Sequence, residues 1–239
     1  MGRIWLIRET ELEILHPLHF GDTVQVRTWV ADWSRVRSRR AYEFCRDDTA
    51  TVARASTDWA FLDTTSGRPA AIPAGMMAGF FLDGLPPQRR TRRRLPAAPP
   101  PPAGLAPQRR RVEWRDLDPA GHVNNAVYLA YAEACAAEAI AVLGWPQSRL
   151  AAAGLALVAS EHGISYQQQA LPDDELEVLA WFSGAAQDSI IRHAMVRRLS
   201  DGAGLARLRS QLACVDAETG GPAACPEPFL LALRPRTAP

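Results

Sequence analysis

The sequence predicts an α+β protein built from two related halves. Runs that alternate apolar and polar residues, as strands do, recur in both halves of the 239-residue chain. One long apolar stretch, residues 126–143, instead repeats its apolar residues at spacings of three and four, which indicates a buried helix. A segment dense in proline and arginine, residues 84–110, separates the halves. We therefore expect two domains, residues 1–83 and 111–239, joined by a linker.

Eight strands are predicted, four in each half. They are Ile4 to Leu15, Thr23 to Ala31, Val36 to Cys45 and Val52 to Asp63 in the first half, and Ala156 to Gln168, Glu175 to Phe182, Ser189 to Leu199 and Leu205 to Asp216 in the second. Residues 21–30 align with 173–182, and the alternation and the tryptophans coincide. Residues 61–69 align with 214–222 at nearly the same distance along the chain. The halves are therefore two copies of one strand-rich unit.

The linker contains the run Pro99 to Pro102 and clusters of arginine at 89–90 and 92–94. Such a segment cannot form a packed core and should be extended and mobile. Its arginines are typical of a solvated, self-repelling segment. The alternative is that they attract the phosphates of coenzyme A or an acidic carrier protein. Nucleic-acid binding is disfavoured, because the arginines lack interleaved aromatic residues and the net charge is only +1.

The composition, 47% hydrophobic and 22% charged, is that of a globular protein. Four cysteines without a CxxC spacing, and an N-terminus without a signal-peptide pattern, predict a cytoplasmic location. No apolar run reaches membrane-spanning length. His16 and His19 fall in a loop, and His162 and His193 fall in strands, so no metal site is expected. Cys135 is interpreted as a small core residue of the helix rather than as a nucleophile.

A polar turn immediately precedes the long helix. It reads Asp116-Leu117-Asp118-Pro119-Ala120-Gly121-His122-Val123-Asn124-Asn125. Asn124 or Asn125 can cap the helix start, and Gly144 can end it. The first-turn amides and the helix dipole favour a developing oxyanion, Asp118 can be a nucleophile or general base, and His122 can donate a proton or a hydrogen bond. These parts suit acyl transfer, although the same residues also make an ordinary turn with ordinary caps.

This stretch, followed by Tyr128, Leu129 and Glu133, resembles the signature of the hotdog-fold thioesterases. Its Asp-Pro-Ala-Gly portion is similar to the 4-hydroxybenzoyl-CoA thioesterase type, and its Asp-Leu-Asp and His-Val-Asn-Asn portions are similar to plant-type and bacterial acyl-ACP thioesterases. The resemblance implies a hotdog fold, in which a curved antiparallel sheet wraps a central helix. It also implies hydrolysis of acyl-ACP or acyl-CoA thioesters to free fatty acid and thiol carrier, in lipid metabolism and fatty acid biosynthesis, without a cofactor.

The resemblance assigns roles to residues of the turn. Asp118 would be the nucleophile or the base for water, His122 a polarising or proton-donating partner, and the backbone amide of Asn125 a donor to the thioester carbonyl. The other residues expected to contact substrate are Gly121, Asn124, Glu133 and Gln169. Two positions depart from the plant-type pattern: Ala120 replaces an asparagine, and Gln169-Ala170 replaces a Glu-Cys pair. The resemblance therefore carries over only a simpler carboxylate mechanism.

Two of these residues have alternative interpretations. A carboxylate inside an apolar helix is costly to bury unpaired, so Glu133 either reaches the site or pairs with an arginine. Gln169 either positions water or substrate, or faces solvent as glutamine usually does.

The first half lacks the motif and a core helix, and Ala74 to Leu82 is too short and too glycine-rich to supply one. We expect that the natural start lies upstream, or that this sheet packs on another element. A homodimer is the expected assembly. The alternative function is a non-catalytic hotdog protein that binds acyl groups as a carrier or regulator. A nucleic-acid-associated protein acting through the linker arginines is a more distant third hypothesis.

Overall fold

Four antiparallel strands form the sheet of the first of two compact units, Met1–Leu95 and Pro96–Pro239. The computed structural model describes residues 2–47, 50–81, 95–186 and 189–234. The strands are β1 (Arg3–Ile14), β2 (Val24–Trp33), β3 (Arg37–Arg46) and β4 (Ala50–Asp63). They pair in the order β2-β3-β4-β1. The five-residue α1 (Ala74–Ala78) follows, and residues 2–47 and 50–81 contain no longer helix.

The second unit combines a five-stranded antiparallel sheet with a long helix. Its strands are β5 (Gln108–Arg111), β6 (Leu155–Tyr166), β7 (Glu175–Ser183), β8 (Ile190–Arg198) and β9 (Gly204–Asp216), and its α-helices are α2 (Val127–Val142), α3 (Gln147–Ala152) and α4 (Glu227–Leu233). The strands pair in the order β6-β9-β8-β7-β5. The bounds of all eight predicted strands agree with the structure within two residues. The alternation of apolar and polar residues is therefore sufficient to place them.

The internal repeat extends to the irregularities of the two sheets. Corresponding bulges lie between Ile7 and Glu9 and between Phe44 and Cys45 in the first unit, and between Ala159 and Glu161 and between Val196 and Arg197 in the second. A bulge bends its strand and increases the local twist, so the two sheets share these two bends. A further register shift, between Val30 and Asp32, has no counterpart in the pairing of β7 with β8.

The turn after the last long strand is also the same in the two units. Asp63 and Asp216 each accept hydrogen bonds from the amides two and three residues further on. Each turn is closed by an isolated bridge, Leu62 to Pro69 in the first unit and Val215 to Pro222 in the second. Side-chain acceptance of local amides is the usual reason for aspartate in a turn.

Helix α2 supplies the core of the second unit and begins and ends within one residue of the predicted helix. Its buried side chains are Tyr128, Tyr131, Ala132, Cys135, Ala136 and Ile140. They pack mainly against β7, whose residues from Leu176 to Phe182 are nearly all buried. Each large side chain buried in this way contributes on the order of 1.5–3 kcal/mol. Gly144, with a φ of 85°, follows the helix end as predicted.

A disulfide that the sequence analysis did not predict joins Cys214 of β9 to Cys225, with 5.6 Å between their Cα atoms. Helix α4 begins two residues later and packs Phe229 against Trp145, with ring centroids 5.2 Å apart. The two cysteines are 11 residues apart, a spacing that signals no particular site. The bond ties the start of α4 to the sheet.

The predicted linker, residues 84–110, is corrected at its C-terminal end. Gln108–Arg111 form β5 and pair with β7, so residues 108–110 belong to the sheet. Residues 95–107 contain no helix or strand, and Pro102 to Pro107 line a cavity beside α2, although most of them remain exposed on their other side. Proline can pack in this way because it has no backbone N–H that needs a partner. The predicted role of the arginines at 89–90 and 92–94 lies outside the described residues.

Candidate active site

The turn before α2 is closed by its own backbone. Leu117 and Val123 form an isolated antiparallel bridge, and the Asp118 amide donates to the His122 carbonyl over 2.9 Å. The Gly121 amide donates to the Asp118 carbonyl, also over 2.9 Å. Gly121 has a φ of 80°, a conformation that other L-residues adopt at a cost. The turn thus brings Asp118 and His122, which are four residues apart, close together.

Asp118 and His122 face each other across this turn. The Asp118 Oδ2 atom lies 3.5 Å from His122 Nδ1, and the two side chains are 22% and 12% exposed. Asp118 Oδ1 accepts the Ala120 amide over 2.8 Å, which fixes the carboxylate. His122 Nδ1 also lies 3.2 Å from the Val123 carbonyl. Because Nδ1 faces two acceptors, the proton of a neutral ring belongs there, and Nε2 carries the lone pair.

Both asparagines of the motif act through their position at the helix start. Asn124 Oδ1 accepts the Ala126 amide over 2.9 Å, and the Asn124 carbonyl accepts the Val127 amide over 3.0 Å. The predicted asparagine cap on a first-turn amide was wrong, because the N-cap residue is Ala126 and makes no side-chain cap, and the side chain of Asn124 bonds only the amide of Ala126 itself. The Asn125 carbonyl accepts the hydroxyl of Tyr166 over 3.0 Å. The segment that leads into the helix is held on both sides.

The loop that carries Gln169 lies against the motif through its backbone. The Val123 amide donates to the Ala170 carbonyl over 3.0 Å. Ala170 is fully buried, and its amide donates to the Tyr128 hydroxyl over 3.1 Å. The Gln169 carbonyl accepts Nη2 of Arg198 over 2.6 Å, and Arg198 also pairs with Asp174. The structure thus brings Gln169 next to the turn, and the role of its side chain stays a prediction.

Glu133 pairs with an arginine, which is one of its two predicted alternatives. Its carboxylate is 3.7 Å from Nη2 of the buried Arg192 on β8. Arg192 donates to Ser210 over 2.9 Å, and Ser210 lies 2.9 Å from His162 Nδ1. Burial, together with the positive charge of Arg192, lowers the pKa of His162 to about 4, so this ring is neutral at pH 7. This polar cluster, buried except for the half-exposed Glu133, was missed because its members lie on three strands and a helix.

A cavity of about 450 Å³ lies along the C-terminal half of α2. Cys135, Ala139 and Val142 line it from the helix, and most other lining residues are apolar. Tyr128 and Tyr131 occupy the same helix face nearer the turn, and both are buried. None of Tyr128, Tyr131, Asp118 and His122 lines this cavity, so its walls do not include the turn.

The parts of the chain that the structure describes contain no group of three or more histidine, cysteine, aspartate and glutamate residues placed to hold a metal ion. Within those same residues, no helix is long and apolar enough to span a membrane.

Two protein-family models match the chain. The model of the thioesterase-like superfamily matches residues 112–233, which include the turn, α2 and the sheet of the second unit. The model of the acyl-ACP thioesterase N-terminal domain matches residues 1–80. The two predicted halves therefore match two different models.

The chain is similar to curated and structurally solved thioesterases. A chloroplastic acyl-[acyl-carrier-protein] hydrolase of Cuphea viscosissima is 28% identical over 137 residues, which are 54% of this chain and 32% of that protein. The chain thus matches about a third of the length of this relative. The 12:0-ACP thioesterase of Umbellularia californica has a TM-score of 0.67 at 19% identity over 89% of this chain and 74% of that one. A structure described as an oleoyl thioesterase from Lactobacillus plantarum has a TM-score of 0.73 at 16% identity over 88% of this chain and 76% of that one. These structural similarities identify the hotdog fold.

Proposed function

Because the chain belongs to the thioesterase-like superfamily, we propose that it hydrolyses acyl thioesters carried on acyl carrier protein or coenzyme A. The observation that carries the proposal is the contact between Asp118 and His122 in the turn that leads into α2. A carboxylate and an imidazole held in a water-accessible turn can move the proton of an attacking water. This hydrolysis does not require a cofactor.

In the first route, Asp118 acts as a general base. Water adds its oxygen to the thioester carbon while Asp118 accepts one of its protons, and the carbonyl oxygen becomes an oxyanion. Backbone amides at the start of α2, with that of Asn125 as the candidate, stabilise this charge. The intermediate then collapses by breaking the carbon–sulfur bond, and the proton held by Asp118 passes to the leaving thiolate. The products are a carboxylic acid and a free thiol, and Asp118 is regenerated as the carboxylate.

In the second route, Asp118 attacks the thioester carbon itself. The thiolate leaves, an acyl anhydride forms on Asp118, and water hydrolyses it in a second step. The routes differ in where solvent oxygen goes. In a single turnover in ¹⁸O-water, the first route places ¹⁸O in the fatty acid. The second route also does so when water attacks the acyl carbonyl of the anhydride, whereas attack on the carboxyl carbon of Asp118 leaves ¹⁸O in the protein. Label in the protein supports the nucleophile, and trapping an acylated Asp118 supports it whichever carbon is attacked.

His122 assists through Nε2. With its proton on Nδ1, the neutral ring presents an unprotonated Nε2, so polarising a carbonyl from this atom requires the imidazolium form. In the neutral form, Nε2 can instead accept a hydrogen bond from the attacking water. Asp118 orients the ring in both cases, because its carboxylate lies beside Nδ1.

The proposal is tested by measuring thiol release from dodecanoyl and palmitoyl thioesters of carrier protein and of coenzyme A. Asp118→Asn keeps the shape of the turn and removes the carboxylate. We expect kcat to fall by about a hundredfold or more, because a general base typically contributes about 10²–10⁴. The matched control is Asp22→Asn, since Asp22 also accepts a turn amide, that of His19, but lies in the first unit. It should hydrolyse both carriers' thioesters at the parental rate.

Hydrolysis at the parental rate by Asp118→Asn would contradict this assignment, and a simultaneous loss in Glu133→Gln would move the catalytic carboxylate to the helix. Tight binding of an acyl thioester without turnover would favour the alternative of a non-catalytic acyl carrier or regulator. A preference for the acyl carrier protein substrates is expected, since relatives are named for that substrate.

We also propose that the protein is cytoplasmic and forms a homodimer. The two cysteines without a disulfide, Cys45 and Cys135, support a reducing compartment, whereas the Cys214–Cys225 bond is of a kind that persists in oxidising ones. Counting free thiols in the protein isolated from its native cells distinguishes a reducing from an oxidising compartment.

Exposed apolar side chains on β2, such as Val26 and Trp29, support contact with a second copy. Light scattering of the purified chain measures that assembly.

A further inference from the structure

Asp116, the first aspartate of the Asp-Leu-Asp step, joins the turn to the helix. Its Oδ2 atom accepts the Tyr131 hydroxyl over 2.7 Å and the Glu113 amide over 2.9 Å. Its carbonyl accepts the Asn124 amide over 2.8 Å. Asp116 is therefore bonded to the helix through its side chain and to the far end of the motif through its backbone. A hydrogen bond to a charged acceptor is among the stronger ones in proteins.

Tyr131 is built to remain a donor in this contact. Its ring is 2% exposed, on the face of α2 that packs into the core. Burial and the adjacent Asp116 raise the pKa of Tyr131, so the phenol keeps its proton at working pH. The guanidinium of Arg110, on β5, lies 4.8 Å from the centre of the ring, within the range of a cation–π interaction. Helix and sheet therefore fix the ring together.

Two other tyrosines hold the opposite side of the motif. Tyr166 donates to the Asn125 carbonyl, and Tyr128 accepts the amide of Ala170, whose carbonyl receives the Val123 amide. The Tyr128 ring lies edge-on to both neighbours, 6.4 Å from Tyr131 and 5.7 Å from Tyr166. Of the three hydroxyls, that of Tyr131 contacts a side chain two residues before Asp118.

We propose that Tyr131, acting through Asp116, is a positioning residue that sets the orientation of the Asp118–His122 pair, with Arg110 holding its ring in place. The proposal rests on the proposed function for its kinetic consequence. Asp116 and Asp118 then divide the work of the motif: one anchors the turn and the other performs the chemistry. Without the Tyr131 hydroxyl, the Asp116 carboxylate keeps only the Glu113 amide, and the step to Asp118 loses its side-chain connection to the helix while its backbone bonds to Val123 and Asn124 remain.

The test compares Tyr131→Phe with Tyr42→Phe. Tyr42 is the matched control, because its hydroxyl lies 3.2 Å from Thr57 Oγ1 in the first unit, away from the motif. Both variants lose one partly buried hydrogen bond, and Tyr131→Phe should lower Tm somewhat more than Tyr42→Phe, because its lost partner is a carboxylate. Tyr131→Phe should lower kcat roughly tenfold with little change in KM, since misplacement by about 1 Å can cost about a hundredfold. Tyr42→Phe should leave kcat unchanged.

Two further measurements separate positioning from a loss of stability. In the Asp118→Asn background, Tyr131→Phe should cause no further loss, because residues that act as a unit are not additive. Asp116→Asn, which retains an acceptor oxygen for Tyr131, should lose less activity than Asp116→Ala. Losses that multiply in the double variant, or kcat losses that follow Tm equally in Tyr131→Phe and Tyr42→Phe, would overturn the proposal.

Amide hydrogen exchange keeps the outcome distinct from that of the proposed function. Tyr131→Phe should accelerate exchange at the amides that close the turn, those of Asp118, Ala120 and Gly121, relative to the parent and to Tyr42→Phe. Faster exchange in a protein whose parent cleaves no thioester would refute the proposed function and leave the positioning of the turn supported. Unchanged exchange together with unchanged kcat would refute the positioning.

Discussion

Trp29 of β2 and Trp181 of β7 occupy the same place in the repeat, yet Trp29 is 48% exposed and Trp181 is 5% exposed. Their neighbours differ in the same way, since Val26 is 50% exposed and Val178 is fully buried. Both strands are antiparallel and hydrogen-bonded to a neighbour. Alternation and turn chemistry are therefore sufficient to build the strands, whereas the burial of a sheet depends on what covers it. In the second unit, α2 covers the face of β7 that carries Val178, because Arg192, the strand partner of Phe182, pairs with Glu133 of α2. Trp181 points to the opposite face, where its ring stacks on His193.

The largest expected change in stability is that caused by truncating Trp181, with Trp29 as its counterpart in the first unit. Trp181→Ala should lower the free energy of unfolding by about 3–5 kcal/mol, as is usual when a large aromatic residue is removed from a core. Trp29→Ala should change it by less than about 1 kcal/mol. Urea unfolding followed by far-UV circular dichroism measures both. Equal losses would mean that the two sheets are equally covered, and the comparison would fail.

A smaller loss of stability should come from removing the disulfide, which has no counterpart at the matching position of the first unit. Phe61 occupies the position in the first unit that corresponds to Cys214, so reduction cannot act there. Replacing Cys214 and Cys225 with serine should cost about 3 kcal/mol, the amount expected for a closed loop of this length. Thermal unfolding with and without reductant checks this. The parent should lose stability on reduction, and the double variant should not respond.

The smallest effect concerns a feature in which the two units should behave alike. Hydrogen bonds from their turns, first those from Ser66 and Thr219 respectively, lower the pKa of Asp63 and of Asp216 below the usual 3.8. The unfolded chain then binds more protons than the folded one just below that pH. Stability is therefore present above it and is lost as the pH falls through the lowered pKa values. Asp63→Asn and Asp216→Asn should each weaken this acid dependence, as measured by Tm between about pH 2 and 5. A response in only one of them would show that the turns are not equivalent.

Most of the fold could be predicted because its signals are local. Alternation places the strands, and spacings of three and four place α2. The proximity of Asp118 and His122 could also be predicted, because a turn of this length brings residues four apart close together. The prediction that residues 108–110 belong to the linker was wrong, because β5 is only four residues long and gains its hydrogen bonds from β7, about seventy residues further along the chain.

The support of the site could not be predicted for the same reason. The sequence predicts a buried helix around Tyr128 and Tyr131 but not their hydrogen-bond partners, since those depend on how distant segments approach the helix. Arg110 reaches the Tyr131 ring through the pairing of β5, and Ala170 reaches Tyr128 through the loop between β6 and β7. Sequence spacing indicates which residues share a face, but it does not indicate which hydroxyl meets which carboxylate.

Gly121 connects the chemistry of the turn to its handedness. A side-chain carbon added at this position would have no atom within 4 Å, so space does not require glycine there. Its φ of 80° does, because the left-handed region costs an L-residue about 1–2 kcal/mol. A mirror-image alanine would adopt this φ without strain. The turn that carries Asp118 and His122 is therefore limited at Gly121 by chirality and not by volume.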